Sequence, residues 1–133
     1  GEMQGVVVQE MVEEGVEVLT GLTQDPSFGP LLLFGTGGIY AELYKDVTFR
    51  IHPLTDTDAG EMMRSVKVYQ LLQGWRGSEP ADTEAAQEVL LRVSAMVEDL
   101  PQIQELDLNP VKILARGHGY VVVDARVLVS EPA

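Results

Sequence analysis

The sequence predicts an α+β domain, a largely antiparallel sheet with helices packed on one face. Three observations lead there. Apolar, β-branched runs at residues 5–12, 16–23, 31–34 and 46–51 are separated by clusters of Gly, Pro and Asp, the pattern of strands joined by turns. Residues 55–66 and 82–97 change to apolar spacings of three and four, the period of a helix face. Finally, two alternating segments, 105–110 and 121–126, bracket a glycine turn and read as paired strands.

In chain order, Gly5-Val6-Val7-Val8-Gln9-Glu10-Met11-Val12 reads as a buried strand, because β-branched residues run without interruption. A strand so near the start, with nothing before it to pair with, suggests a segment of something longer. Glu14-Gly15 supplies a turn, and residues 16–23 return as a second strand in an antiparallel hairpin. Asp25-Pro26-Ser27-Phe28-Gly29-Pro30 is a dense turn before the third strand, Leu31-Leu32-Leu33-Phe34. Next comes Gly35-Thr36-Gly37-Gly38-Ile39-Tyr40-Ala41. It is not a dinucleotide fingerprint, since the third glycine is absent and no βαβ unit surrounds it. Such a loop lets the backbone approach a phosphate or a neighbouring domain, although a lone glycine cluster is more often a tight turn.

Residues 46–51 form a fourth strand, with His52-Pro53-Leu54 leading out of it. Thr55 is an N-cap with Asp58 three positions on, and Ala59, Met62, Met63 and Val66 form a core stripe. Residues 69–77 read as an irregular connector. Asp82 caps a second helix whose apolar stripe is Ala86, Val89, Leu90, Val93, Met96 and Val97, and Asp99-Leu100-Pro101 stops it. The tail, residues 130–133, reads as frayed.

Composition narrows the function. A chain of 133 residues at 45% hydrophobic suits one ordinary domain with a real core. No apolar run is long enough to span a bilayer, the first residues lack a signal-peptide pattern, and there is no cysteine; together these point to a cytoplasmic protein. With 21 acidic and 9 basic residues, the net charge of −12 argues against nucleic acid and anionic membranes as partners. A nucleotide remains compatible, if Mg²⁺ and a few local cations screen its phosphates. Lys45, Arg50, Arg76 and Arg126 are candidates for that service.

The chemistry-bearing stretch is Glu105-Leu106-Asp107-Leu108-Asn109-Pro110, followed by Val121-Val122-Val123-Asp124-Ala125-Arg126. Alternation puts Asp107 and Asn109 on one face of the first strand and Asp124 on the second. If the strands pair through the Gly117-His118-Gly119 turn, two carboxylates and a carboxamide converge. Hard oxygen donors without thiol or imidazole suit Mg²⁺, which keeps waters and takes phosphate oxygens from a substrate. The same residues also fit a plain strand ending, where Asn turns on its own backbone and Pro blocks further pairing. No Ser or Cys stands at a recognisable spacing from a general base, so no catalytic residue is assigned. His52 and His118 read as structural or exposed.

Several motifs fall in one order: Val8-Gln9-Glu10-Met11-Val12, Gly15-Val16-Glu17, Asp25 to Pro30, Phe34-Gly35-Thr36-Gly37-Gly38, Phe49-Arg50 with Pro53-Leu54-Thr55, Trp75-Arg76-Gly77, Glu105 to Pro110 and Val123-Asp124-Ala125-Arg126. Over nearly its whole length the chain resembles the ATP-grasp domain of ADP-forming (NDP-forming) acetyl-CoA synthetases and of related acyl-CoA synthetase-like protein acetyltransferases. The resemblance implies the C-terminal ATP-grasp subdomain, with residues 1–133 as one piece of a longer multidomain chain. It implies ATP/ADP and Mg²⁺ as ligands: Gln9, Glu10, Met11 and Val12 at the hinge that receives adenine, Gly37 and Gly38 on the phosphate side, Glu17 facing the nucleotide, and Asp107, Asn109 and Asp124 on the metal. The implied activity is that of an acid–CoA ligase, with phosphoryl transfer between nucleotide, an enzyme phosphohistidine and an acyl phosphate. That histidine matches neither His52 nor His118. CoA would bind elsewhere, in a CoA-binding domain, and the first ATP-grasp subdomain would be a further partner. The isolated piece is then expected to be inactive. The alternative is a regulatory or structural module of a protein lysine acetyltransferase.

Overall fold

In a computed structural model, residues 15–38, 46–74 and 79–130 are described. The strands are β1 (Val16–Asp25), β2 (Gly29–Thr36), β3 (Val47–Ile51), β4 (Ile103–Ile113), β5 (Tyr120–Val122) and β6 (Ala125–Val129); the helices are α1 (Asp56–Arg64), α2 (Val68–Leu72) and α3 (Thr83–Asp99). Together the strands form one sheet in the order β3-β2-β1-β4-β5, with β6 also on β4. Every pairing is antiparallel. The α+β expectation is therefore borne out, while the strand expected at residues 5–12 lies outside the described residues.

Alternation explains which side of the sheet is covered. Val18 and Leu22 of β1, Leu32 and Phe34 of β2, and Leu106, Val111 and Ile113 of β4 are buried in one cluster with Met62 and Met63 of α1 and Val89, Leu90 and Val93 of α3. The residues that alternate with them face the other side, where Phe49 and Ile51 are exposed.

Both helix starts are built as the sequence predicts. Thr55 and Asp58 form a reciprocal capping box: the Thr55 N–H donates to Asp58 Oδ2 at 3.0 Å, and the Asp58 N–H donates to Thr55 Oγ1 at 3.1 Å. The bond from the Thr55 backbone, with that from its side chain, holds the Asp58 carboxyl below its ordinary range. The capping contribution is therefore present at neutral pH and is lost as pH falls through the lowered value. Asp82 does more than cap. Its Oδ1 accepts from the Ala85 N–H at 3.1 Å, and its Oδ2 accepts from the N–H groups of Gly117 and Gly119 at 3.2 and 2.9 Å, tying α3 to the turn after β4. Asp82→Ala is expected to lower stability by about 2 kcal/mol, a lost cap plus two turn donors left without their acceptor. A shift of the urea midpoint at unchanged slope checks this; an unshifted midpoint would assign both ends to backbone bonds alone.

Four expectations need correction. Residues 69–72 of the expected connector belong to the helix α2; Val68 and Leu72 are buried, and the Lys67 and Val68 N–H groups donate to Asp46 at 2.9 Å each. That cap comes from a distant strand end, so no local signal announces the helix. Second, Pro110 does not end the strand. Val18 pairs with Val111 and Thr20 with Leu108, so Leu19 alone faces both Asn109 and Pro110, a β-bulge that absorbs the missing N–H. Third, residues 121–126 are not one strand: β5 and β6 flank Val123 and Asp124, which lie opposite the same bulge. Fourth, Ser130 is held, its N–H and Oγ both donating to Gln102 O at 2.8 and 3.1 Å.

Candidate functional site

The bulge resets the alternation of β4. Leu106 and Leu108 point to the helices before it and Val111 and Ile113 after it, so Asp107 and Lys112 share the open face. On that face Lys112 stands directly opposite Glu17 of β1, and its Nζ lies 2.9 Å from Glu17 Oε1. Among the described residues Lys112 is the one buried charged side chain.

The glycine loop after β2 folds down onto this pair. The Gly37 N–H donates to Glu17 O at 3.1 Å, and the Gly38 N–H donates to Asn109 Oδ1 at 2.8 Å. Gly38 has φ +71°, and a side chain there would run into the Glu17 carboxylate; at Gly37 it would run into the Val18 backbone. Both positions thus need glycine for the loop to reach β1. Thr36 completes the turn, its Oγ1 donating to Asp46 Oδ2 at 2.8 Å.

These contacts border a cavity of about 680 Å³, lined by Gly15 to Glu17, Thr36 to Gly38, Val68 and Leu71 of α2, and Asn109, Pro110 and Lys112 of β4. Its size suits a small-molecule ligand, and its mostly apolar wall with a few convergent polar groups is the usual form of such a site. Of the candidates from sequence, Glu17, Gly37, Gly38 and Asn109 are brought together here. Asp107 and Asp124 do not line the cavity. Asp107 lies on β4 opposite Gly21 on one side and Arg126 on the other. Asp124 is exposed, its O accepting from the Asn109 N–H at 3.1 Å and its Oδ1 from the Ala125 N–H at 2.9 Å. Gln9, Glu10, Met11 and Val12 lie outside the described residues, as do Lys45 and Arg76.

Among the described residues no group of three or more His, Cys, Asp or Glu side chains is placed to hold a metal ion. The donor set in question has only two carboxylates, with Asn109 as its third member and its backbone bonded to Asp124. Such a set fits a hard cation that keeps waters and shares phosphate oxygens, the habit of Mg²⁺, and does not fit an all-protein cage. Arg50 turns to Thr48 Oγ1 and Phe49 O on β3, away from the cavity, and Arg126 is exposed on β6. Lys112 is the one cation among the described residues that line the cavity, and it is not among the four cations singled out from the sequence. Flanked by Val111 and Ile113, it carries no sequence signal to set it apart from an ordinary strand lysine.

Two histidines are accounted for without chemistry. His52 Nδ1 lies 3.2 Å from Ser94 Oγ and its Nε2 3.0 Å from Glu98 Oε1, which joins the end of β3 to α3. The His118 N–H donates to Ala115 O at 2.8 Å within the turn after β4.

Against known proteins, the family model described as the ATP-grasp domain matches residues 1–129. The chain is 50% identical over 129 residues to acetate–CoA ligase [ADP-forming] I of Archaeoglobus fulgidus, covering 97% of this chain and 18% of that protein. It is 50% identical over 130 residues to the acetate–CoA ligase [ADP-forming] II subunit beta of Pyrococcus furiosus, covering 97% of this chain and 55% of the subunit. In structure it is similar to the dinucleotide-forming acetyl-coenzyme A synthetase 1 of Ca. Korarchaeum cryptofilum, solved with coenzyme A and Mg-AMPPCP. There the TM-score is 0.81 at 42% identity, over 96% of this chain and 63% of that one. The chain thus spans between about a fifth and two thirds of the length of these relatives.

Proposed function

This chain belongs to the ATP-grasp domain family, and from that membership we propose that it is the nucleotide- and Mg²⁺-binding part of an ADP-forming acyl-CoA synthetase. The observation that carries the reading is the convergence of Glu17, Gly37, Gly38 and Asn109 on one cavity, with Asp124 bonded to the Asn109 backbone. In this reading residues 1–133 are a single ATP-grasp subdomain, the C-terminal one, and the first subdomain and a CoA-binding domain come from other parts of the same assembly. The greater length of the relatives supports it. A cytoplasmic setting accords with the lack of cysteine. Among the described residues no helix is long and apolar enough to cross a membrane.

Each residue then has a role. Asp107, Asn109 and Asp124 hold Mg²⁺, which when bound neutralises charge on the terminal phosphates as the phosphoryl group moves to or from an enzyme histidine. Gly37 and Gly38 bring the backbone against the phosphate side, and Glu17 faces the nucleotide. Gln9, Glu10, Met11 and Val12 receive the adenine. In this reading these residues bind and position the nucleotide and its metal, and turnover requires the partner domains. The alternative of a regulatory module in a protein lysine acetyltransferase draws no support from the relatives, which are ligases and a synthetase by name.

The test is an NMR titration of the labelled protein with ADP, with and without Mg²⁺. Metal-dependent shifts are expected at Gly37, Gly38, Asn109 and Asp124. Shifts that ignore the metal, or that gather elsewhere on the sheet, would overturn the assignment.

A further inference from the structure

We propose that Lys112 binds an anionic phosphoryl oxygen of the nucleotide, and that Glu17 is the chain's own competitor for that ammonium group. The inference rests on the nucleotide-binding reading above and extends it to a residue which that reading does not include. Lys112 lines the same cavity as Gly37, Gly38 and Asn109, and it is the only cation among the described lining residues. In a chain of net charge −12 it is also the one buried charged group that the described residues contain.

A structural role explains this poorly. A buried ion pair is often no more stabilising than apolar residues of similar volume. The pair sits outside the apolar core cluster, on the open face of the sheet. Its two members are also unequal: the Lys112 side chain is 11% exposed and that of Glu17 33%. Moving the carboxylate toward water therefore costs less than moving the ammonium, so the exchangeable member is Glu17. A lysine ammonium bonds carboxylate and phosphate oxygens alike, as a compact charge with three donors. What Glu17 Oε1 takes at 2.9 Å, a phosphate oxygen can take in its place.

The neighbouring contact has the same form. The Gly38 N–H, a donor suited to a phosphate oxygen, is held by Asn109 Oδ1, an acceptor suited to a metal. Gly38 also leaves the room that the Glu17 carboxylate fills. Displacing Glu17 from Lys112 thus frees space beside the loop at the same moment as it frees the ammonium.

The experiment is calorimetric titration of the intact protein with Mg²⁺-ADP and with adenosine, comparing wild type, Lys112→Gln, Glu17→Gln and the double variant. Lys112→Gln is expected to weaken Mg²⁺-ADP binding at least about tenfold and to leave adenosine binding unchanged. Glu17→Gln, which removes the competitor and a negative charge, is expected to tighten Mg²⁺-ADP severalfold. The double variant guards against misfolding caused by an unpaired Glu17, and should bind as weakly as Lys112→Gln. Wild-type affinity in Lys112→Gln, or its restoration in the double variant, would overturn the proposal and leave the nucleotide site standing. Equal weakening by both single variants would do the same, marking the pair as structural. Failure of the wild type to bind Mg²⁺-ADP would remove the nucleotide reading and this proposal with it.

Discussion

Asp124→Asn is expected to weaken Mg²⁺-nucleotide binding at least about tenfold, or roughly 1.4 kcal/mol, while leaving the fold intact. The two halves of that expectation have separate causes. The fold survives because Asp124 is exposed and its Oδ1 accepts a single bond, from the adjacent Ala125 N–H, which a carboxamide oxygen accepts equally well. A surface change of that kind costs within about 0.5 kcal/mol. Binding is expected to suffer because, in the proposed site, a hard divalent cation held by only two carboxylates and a carboxamide would lose a full charge from its ligand set. Titration with ADP should show the loss only when Mg²⁺ is present. Equal affinity of variant and wild type, at normal unfolding midpoint, would remove Asp124 from the site.

The largest effect on stability is expected at Phe34. This side chain is fully buried, and its strand position lies between Thr20 of β1 and Thr48 of β3, under the helices. Phe34→Ala deletes a ring from a close-packed cluster, which costs about 3–5 kcal/mol from lost transfer energy and the cavity left behind. Against a typical total of about 5–15 kcal/mol, that brings the domain near the edge of folding. The site should feel it as well, because Gly35 to Gly38 follow directly and depend on β2 to aim the loop at Glu17. Denaturant unfolding measures the loss, and a cost under 1 kcal/mol would mean that the core closes over the gap.

The strand that carries Phe34 is legible from sequence, and so is most of the sheet. Residues 31–34 were readable as a strand because an apolar run follows a dense turn, residues 46–51 because they alternate, and Thr55 with Asp58 was readable as a cap because both partners lie within one turn. Asp107 and Asn109 were placed on β4 by the same alternation, although it did not foresee the bulge. The family was legible in the order of motifs that are individually weak.

Other features join residues far apart in the chain. Asp46 caps α2 across 21 and 22 residues, and Asn109 holds the Gly38 N–H across 71. No periodicity records such distances, so α2 read as a connector. Lys112 read as nothing in particular, since a lysine between Val111 and Ile113 has the same pattern whether solvent or Glu17 receives it. The sequence by itself determined most of the strands, the capped starts of α1 and α3 and the candidate oxygen donors, because short-range spacing and capping specify them. Only the tertiary structure decided which donors meet. It set the register of β1 against β4, with one extra residue at Asn109-Pro110, and so put Lys112 on the cavity side opposite Glu17.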